Sequence, residues 1–178
     1  MIRDLSETLR AILTQPGLPA ALAAAQIAFD RPTEPFNPTQ TTLDLFLYEI
    51  RENHDLRSDT RAPPPGSGGR TGTAVPMSLA CSYLATAWPV GGPELALQEQ
   101  NLLGETLQVL AGYPIIPTAF LRGSLVDQRP LPQMLVLHPD ALKNTSEFWT
   151  ALGSKLRPSL SVTVTIAVVP FQARPAET

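Results

Sequence analysis

Apolar positions along this chain fall into two periods, one helical and one of strict alternation. Leu5, Leu9, Ile12 and Leu13 recur at i, i+4, i+7 and i+8, which predicts an amphipathic helix from Asp4 to Gln15, ended by Pro16-Gly17. Ala20 to Ala25 adds a second helical turn or two, and Gln26 to Phe29 enters a strand. Pro32, Pro35 and Pro38 then impose an extended loop, because proline also disfavours helix in the residue before it. Thr41 to Arg51 reads as a strand with apolar residues in both alternating sets, so both of its faces are covered near the middle. Val75 to Trp88 is a second long strand, with Met77, Leu79, Cys81, Tyr83 and Ala85 on one face. After a bend at Pro89 and Gly91-Gly92, Pro93 opens the longest helix, which runs to about Ala111 on a stripe of Leu95, Leu102, Leu103, Leu107 and Leu110. Glu94 and Glu99 complement its dipole and Gly112 closes it.

The remaining third is more broken. A proline-bounded connection, Tyr113 to Pro117, leads to short strands expected at Phe120 to Leu125 and at Gln133 to Leu137. Asn144 or Thr145 caps a short helix that reaches Leu152 and stops at Gly153. Leu160, Val162, Val164, Ile166 and Val168 then alternate with Ser159, Ser161, Thr163, Thr165 and Ala167, the mark of a half-buried strand. Strands interrupted by helices define an α/β domain, or an α+β one, built on a single mixed sheet with flanking helices. One domain is expected over residues 1–170, with 171–178 a frayed tail. The strand order is not readable from the pattern.

One stretch fits no element. Between His54 and Ala74, the run Arg61-Ala62-Pro63-Pro64-Pro65-Gly66-Ser67-Gly68-Gly69-Arg70 has nothing with which to build a core. It reads as an exposed, flexible loop over about residues 57–74, longer than a simple connection requires. Its glycines do not form a phosphate loop: no Gly-Lys-Ser/Thr is present, three prolines precede it and a strand follows.

Composition narrows the function. The 178 residues are 43% hydrophobic and 16% charged, with 19 prolines. Domains of this kind ordinarily carry about 25% charge, so the surface is poorly solvated; that suits both a compact domain and one that hides area against partners. A net charge of −3 provides no basic field, and the arginines at 51, 57, 61 and 70 are interleaved with Glu49, Glu52, Asp55 and Asp59. Nucleic acid is therefore not expected as a partner. The single cysteine, Cys81, permits no internal disulfide and no zinc site with two or more thiolates. The charged start, Met1-Ile2-Arg3-Asp4, does not suit a signal peptide, and no apolar run is long enough to span a membrane. The expectation is a soluble protein made in the cytoplasm, without cofactor and without membrane.

Catalytic signals are missing. Nucleophilic catalysis needs a base beside the nucleophile, and the two histidines sit in turn-like or loop settings, His54 at the loop mouth and His138 in Leu137-His138-Pro139-Asp140. No catalytic, cofactor-binding or metal-binding residue is nominated. Tyr48-Glu49-Ile50-Arg51-Glu52-Asn53 forms a polar end to an apolar strand. Glu49 and Arg51 are either solvent-exposed neighbours on one face or an oligomer contact in which the arginine meets another subunit's carboxylate.

Several blocks resemble the N-terminal domain of the cap, or tube-terminator, proteins of extracellular contractile injection systems, a family long described only as a domain of unknown function. They are Ile2-Arg3-Asp4-Leu5 with Leu9, Phe29-Asp30-Arg31-Pro32-Thr33, Leu45 to Asn53 with Leu56-Arg57, Ser82 to Trp88, Phe148 to Gly153, and Leu156-Arg157-Pro158-Ser159-Leu160. The resemblance implies a tail-terminator-like subunit that forms a six-fold ring on the distal end of a phage-tail-like particle and binds inner tube and last sheath layer. It implies assembly in the cytoplasm and then residence in the particle, with no enzymatic activity. Glu49, Arg51, Glu52, Arg57, Arg61 and Arg70 become the candidate contacts to a neighbouring subunit, sheath or tube. Some relatives extend beyond this domain, so a contribution of theirs would be lacking here. A cytoplasmic adaptor, or a small enzyme without a recognisable motif, are the alternatives on the residues alone.

Overall fold

The computed structural model describes residues 1–33, 36–53, 76–139 and 141–171. Helix α1 (Ile2–Leu13) and the short α2 (Ala20–Ala24) lead into β1 (Gln26–Ala28) and the long strands β2 (Thr42–Glu52) and β3 (Met77–Trp88). Helix α3 (Leu95–Ala111), β4 (Gln133–Val136), α4 (Thr145–Ala151) and β5 (Leu160–Val168) follow. The five strands form one mixed sheet in the order β1-β2-β3-β5-β4. Only β1 and β2 run parallel; the other pairs are antiparallel.

Register sorts the side chains onto two unlike faces. Leu43, Leu45 and Leu47 of β2 lie beside Ala87, Ala85 and Tyr83 of β3, and Cys81 and Leu79 lie beside Val164 and Ile166 of β5. This face joins Leu5, Leu9, Ile12 and Leu13 of α1 and Leu102, Leu103 and Leu110 of α3 in one buried cluster. The stripe read from α1 is thus the stripe it buries, each leucine or isoleucine contributing about 1.5–3 kcal/mol on full burial. In α3 the burial begins about two turns later than the pattern suggested, at Leu102 instead of Leu95. Leu95 is exposed and Leu107 half-buried.

The segment expected as a strand from Phe120 to Leu125 is instead a pair of 3-10 turns, Thr118–Phe120 and Gly123–Leu125. Its backbone groups go to α1 and not to a ladder. The Arg122 N–H donates to Thr8 Oγ1 at 3.1 Å, and the Ser124 N–H and hydroxyl donate to Asp4 Oδ2 at 3.1 and 2.6 Å. Gly123 has φ +55, and a β-carbon there would run into the Asp4 carboxylate. The short helix α4 starts as expected: Asn144 Oδ1 accepts from the Glu147 N–H at 3.2 Å, and Gly153 ends the region at φ +69.

Candidate assembly surfaces

The second face of the sheet has no helical layer along its whole length and is covered piecemeal. At one end the chain after β1 passes over it: the Asp30 N–H donates to Asp44 Oδ1 at 2.8 Å, Arg31 lies 5.9 Å over the Phe46 ring, and Phe36 stacks edge-on against Trp88 at 4.7 Å. Next comes α4, whose Phe148 meets Tyr48 edge-on at 5.4 Å and whose Trp149 is buried. Beyond α4 the described residues leave an open groove over the sheet.

A β-bulge brings Tyr48 to Phe148. Leu47 pairs with Tyr83 but Glu49 pairs with Ser82, so Tyr48 is the extra residue on β2. Burial pushes the Tyr48 phenol above its ordinary range, against the opposing effect of a hydrogen bond with Ser82. The bulge also turns Glu49 and Arg51 onto the second face, opposite Ser82 and Ala80.

There Glu49 and Arg51 form an ion pair at 3.2 Å, with the arginine side chain 60% exposed. The two are neighbours on one face of the single chain, in an exposed geometry that contributes little to stability. Arg51 and Glu52 stand on the rim of an open groove of about 580 Å³. Its floor is made of small side chains, Ala80 and Ser82 from β3 and Thr163 and Thr165 from β5, and Gln133 and Leu135 of β4 close the far side. Ser82 and Thr163 share a hydrogen bond at 3.2 Å across the floor. Ile115, bridged to Gln133, joins Leu135 and Leu137 as half-exposed apolar side chains along the β4 edge.

Of the six residues nominated from sequence, Arg51 and Glu52 thus line the groove, and Glu49 is paired with Arg51. Arg57, Arg61 and Arg70, with the whole loop 57–74, lie outside the described residues. The groove floor was not nominated. Its signal was present in Thr163 and Thr165, which alternation alone reads as solvent-facing.

The blocks that carried the resemblance meet in space. Trp88, from one, is stacked under the Arg157 guanidinium, from another, at 3.8 Å. Arg157 also donates to Glu99 Oε1 at 3.2 Å and to the Ala87 carbonyl at 3.1 Å, tying the segment before β5 to α3 and the end of β3. Tyr83, buried under α1, shares a 3.0 Å hydrogen bond with Ser6 and sits edge-on to Phe29, which in turn lies under Arg10. Burial pushes the Tyr83 phenol up to about 12. Cys81 is fully buried, and desolvation raises its thiol to about 11, so it behaves as a small apolar residue.

Among the described residues no three His, Cys, Asp or Glu side chains converge as metal ligands, and no helix is long and apolar enough to cross a membrane. The groove presents hydroxyls and amides on a shallow floor, an arrangement suited to contact with another macromolecule.

The fold is shared with two tube terminators of known structure. It superposes on the sheath/tube terminator of the PVC extracellular contractile injection system in its extended state, with a TM-score of 0.62 and 21% identity over the whole chain and 63% of that chain. It also superposes on the tube-terminating cap of the anti-feeding prophage, with a TM-score of 0.60 and 21% identity over 99% of this chain and 56% of that one. The chain therefore spans less than two thirds of the length of either solved relative. A family model described as the Pvc16 N-terminal domain matches residues 4–178, and the chain belongs to that family. No curated protein matches it.

Proposed function

We propose that this chain is a structural subunit that ends the inner tube of a contractile injection particle and holds the last sheath layer. The observation that supports this best is the agreement of its entire described frame with two tube terminators, within the family to which it belongs. On this reading the protein is not an enzyme. It assembles in the cytoplasm, as a six-fold ring, and then stays with the particle.

A closed ring joins unlike surfaces head to tail, so each subunit must offer two complementary patches. The groove rim with Arg51 and Glu52, together with Glu49 paired to Arg51, is one such patch, and the apolar β4 edge lies beside it. We assign Arg57, Arg61 and Arg70, within the 57–74 loop, to contacts with sheath, tube or neighbouring subunit. Affinity purification of the tagged chain from its native cells, followed by mass spectrometry and electron microscopy, tests the reading. Tube and sheath proteins should copurify, and the tag should mark one end of each particle. Intact particles free of the tag would sink the proposal.

A further inference from the structure

Asp44 is the one carboxylate in the middle of β2, and it is fully buried. One oxygen, Oδ1, accepts the Asp30 N–H at 2.8 Å; the other, Oδ2, has no partner among the described residues. The Asp30 amide belongs to residues 29–33, the strap that leaves β1 and crosses the second face. We propose that Asp44 is a protonation-operated clamp on this strap, closed while the carboxyl is neutral and loosened when it ionises.

The surroundings explain why ionisation is disfavoured. The strands on either side of Asp44, β1 at Gln26–Ala28 and β3 at Ala85–Trp88, bring no titratable group. The strap brings Asp30, a second carboxylate, and Arg31, whose guanidinium is occupied over the Phe46 ring. Of the other described cations on this face, Arg157 is stacked on Trp88 and bonded to Glu99, and Arg51 is paired with Glu49. An ionised Asp44 would thus be a buried anion facing a like charge, with a single hydrogen bond to hold it. Among the described residues nothing supplies the missing partners, so the ionised form gains by letting water in under the strap.

Burial, and secondarily the charge of Asp30, raise this carboxyl from 3.8 to about 7, despite the opposing backbone bond. A folded-state value above the unfolded one gives stability that is complete below about pH 4. That stability is lost as pH rises through about 7, and is flat beyond. The strap is therefore at its most secure in mild acid and begins to open around neutrality.

Carbon-13 NMR of the Asp44 carboxyl, with hydrogen exchange at the Asp30 amide, tests the clamp on the intact chain. We expect Asp44 to titrate near pH 7 and the Asp30 amide to lose about tenfold of its protection with the same midpoint, after the base-catalysed dependence is removed. In Asp44→Asn, which keeps the acceptor and removes the charge, that inflection should vanish. An Asp44 midpoint in the ordinary carboxylate range overturns the proposal. So does an Asp30 amide that ignores the ionisation. Both readouts come from the unaltered protein, so they decide the matter even if the variant does not fold. Neither depends on whether the chain caps a tube.

Discussion

Replacing Arg157 with alanine would remove three contacts that meet at one guanidinium: two N–H groups on Glu99 Oε1 at 3.1–3.2 Å, one on the Ala87 carbonyl, and the stack on Trp88. The pair is sheltered, with Arg157 25% and Glu99 13% exposed, so it escapes most of the screening that weakens surface pairs. A hydrogen bond to a charged group contributes about 1.5–3 kcal/mol. A cation over an indole adds about 0.5–2 kcal/mol. The two effects share one side chain and do not simply add, and Glu99 is left behind without its cation. A loss of about 3 kcal/mol follows from these ranges.

For a chain of this size each kcal/mol lowers Tm by about 2–4 °C, so Arg157→Ala should melt about 6–12 °C lower. Urea unfolding should show a lower midpoint at unchanged slope, since the surface exposed on unfolding is the same. Arg157→Lys keeps the charge but not the planar fork or the stack, and should recover less than half of the loss. A double-mutant cycle with Glu99→Gln separates the ion pair from the stack. A loss in Arg157→Ala below about 1 kcal/mol would refute the reasoning, because it would mean that the contacts are remade by water.

Three further outcomes follow from the same geometry. Gly123→Ala should destabilise the fold by about 1–3 kcal/mol, since φ +55 strains any side chain and the added carbon displaces the Asp4 carboxylate; an unchanged urea midpoint would contradict this. The Asp4 carboxyl is held well below its usual range by the Met1 ammonium and then by the two bonds from Ser124. A depressed value means stability present above about pH 4 and lost as pH falls, so Asp4→Asn should flatten the acid limb of the stability profile. Cys81 should resist Ellman's reagent at pH 8 in the native protein and react fully in denaturant; rapid stoichiometric labelling of the folded chain would show that the strand pair around it opens.

The parts of the fold that were legible in the sequence are those with local causes. The stripe of α1, the alternation of β5 and the cap at Asn144 each depend on residues a few positions apart, and each formed where expected. The misread segment, 118–125, contains Phe120, Leu121 and Leu125 at strand-like spacing. What decides its shape are Asp4 and Thr8, more than a hundred residues away, which take its N–H groups. The strand order and the meeting of Trp88 with Arg157 are nonlocal in the same way. Of the candidate contacts, Glu49 and Arg51 were correctly read as same-face neighbours, but only the bulge at Tyr48 explains which face that is. The groove floor escaped notice because small hydroxylated residues look alike whether they meet water or a partner.

The two faces of the sheet therefore differ in kind. One is sealed by α1 and α3 through a continuous apolar cluster, where any movement would expose many leucines at once. The other is held by separate contacts: a buried carboxylate on a strap, an aromatic pair at a bulge, an arginine on a tryptophan. Such contacts can open one at a time, without unfolding the domain, because each closes over only a small patch. The helical side preserves the frame, and the strap, α4 and open groove supply surfaces that can adjust. If the groove is an assembly contact, partner binding should raise hydrogen-exchange protection along the edge strand β4 more than along β2 near Leu43 and Leu45. Those residues are already buried at 0% exposure and have little protection left to gain.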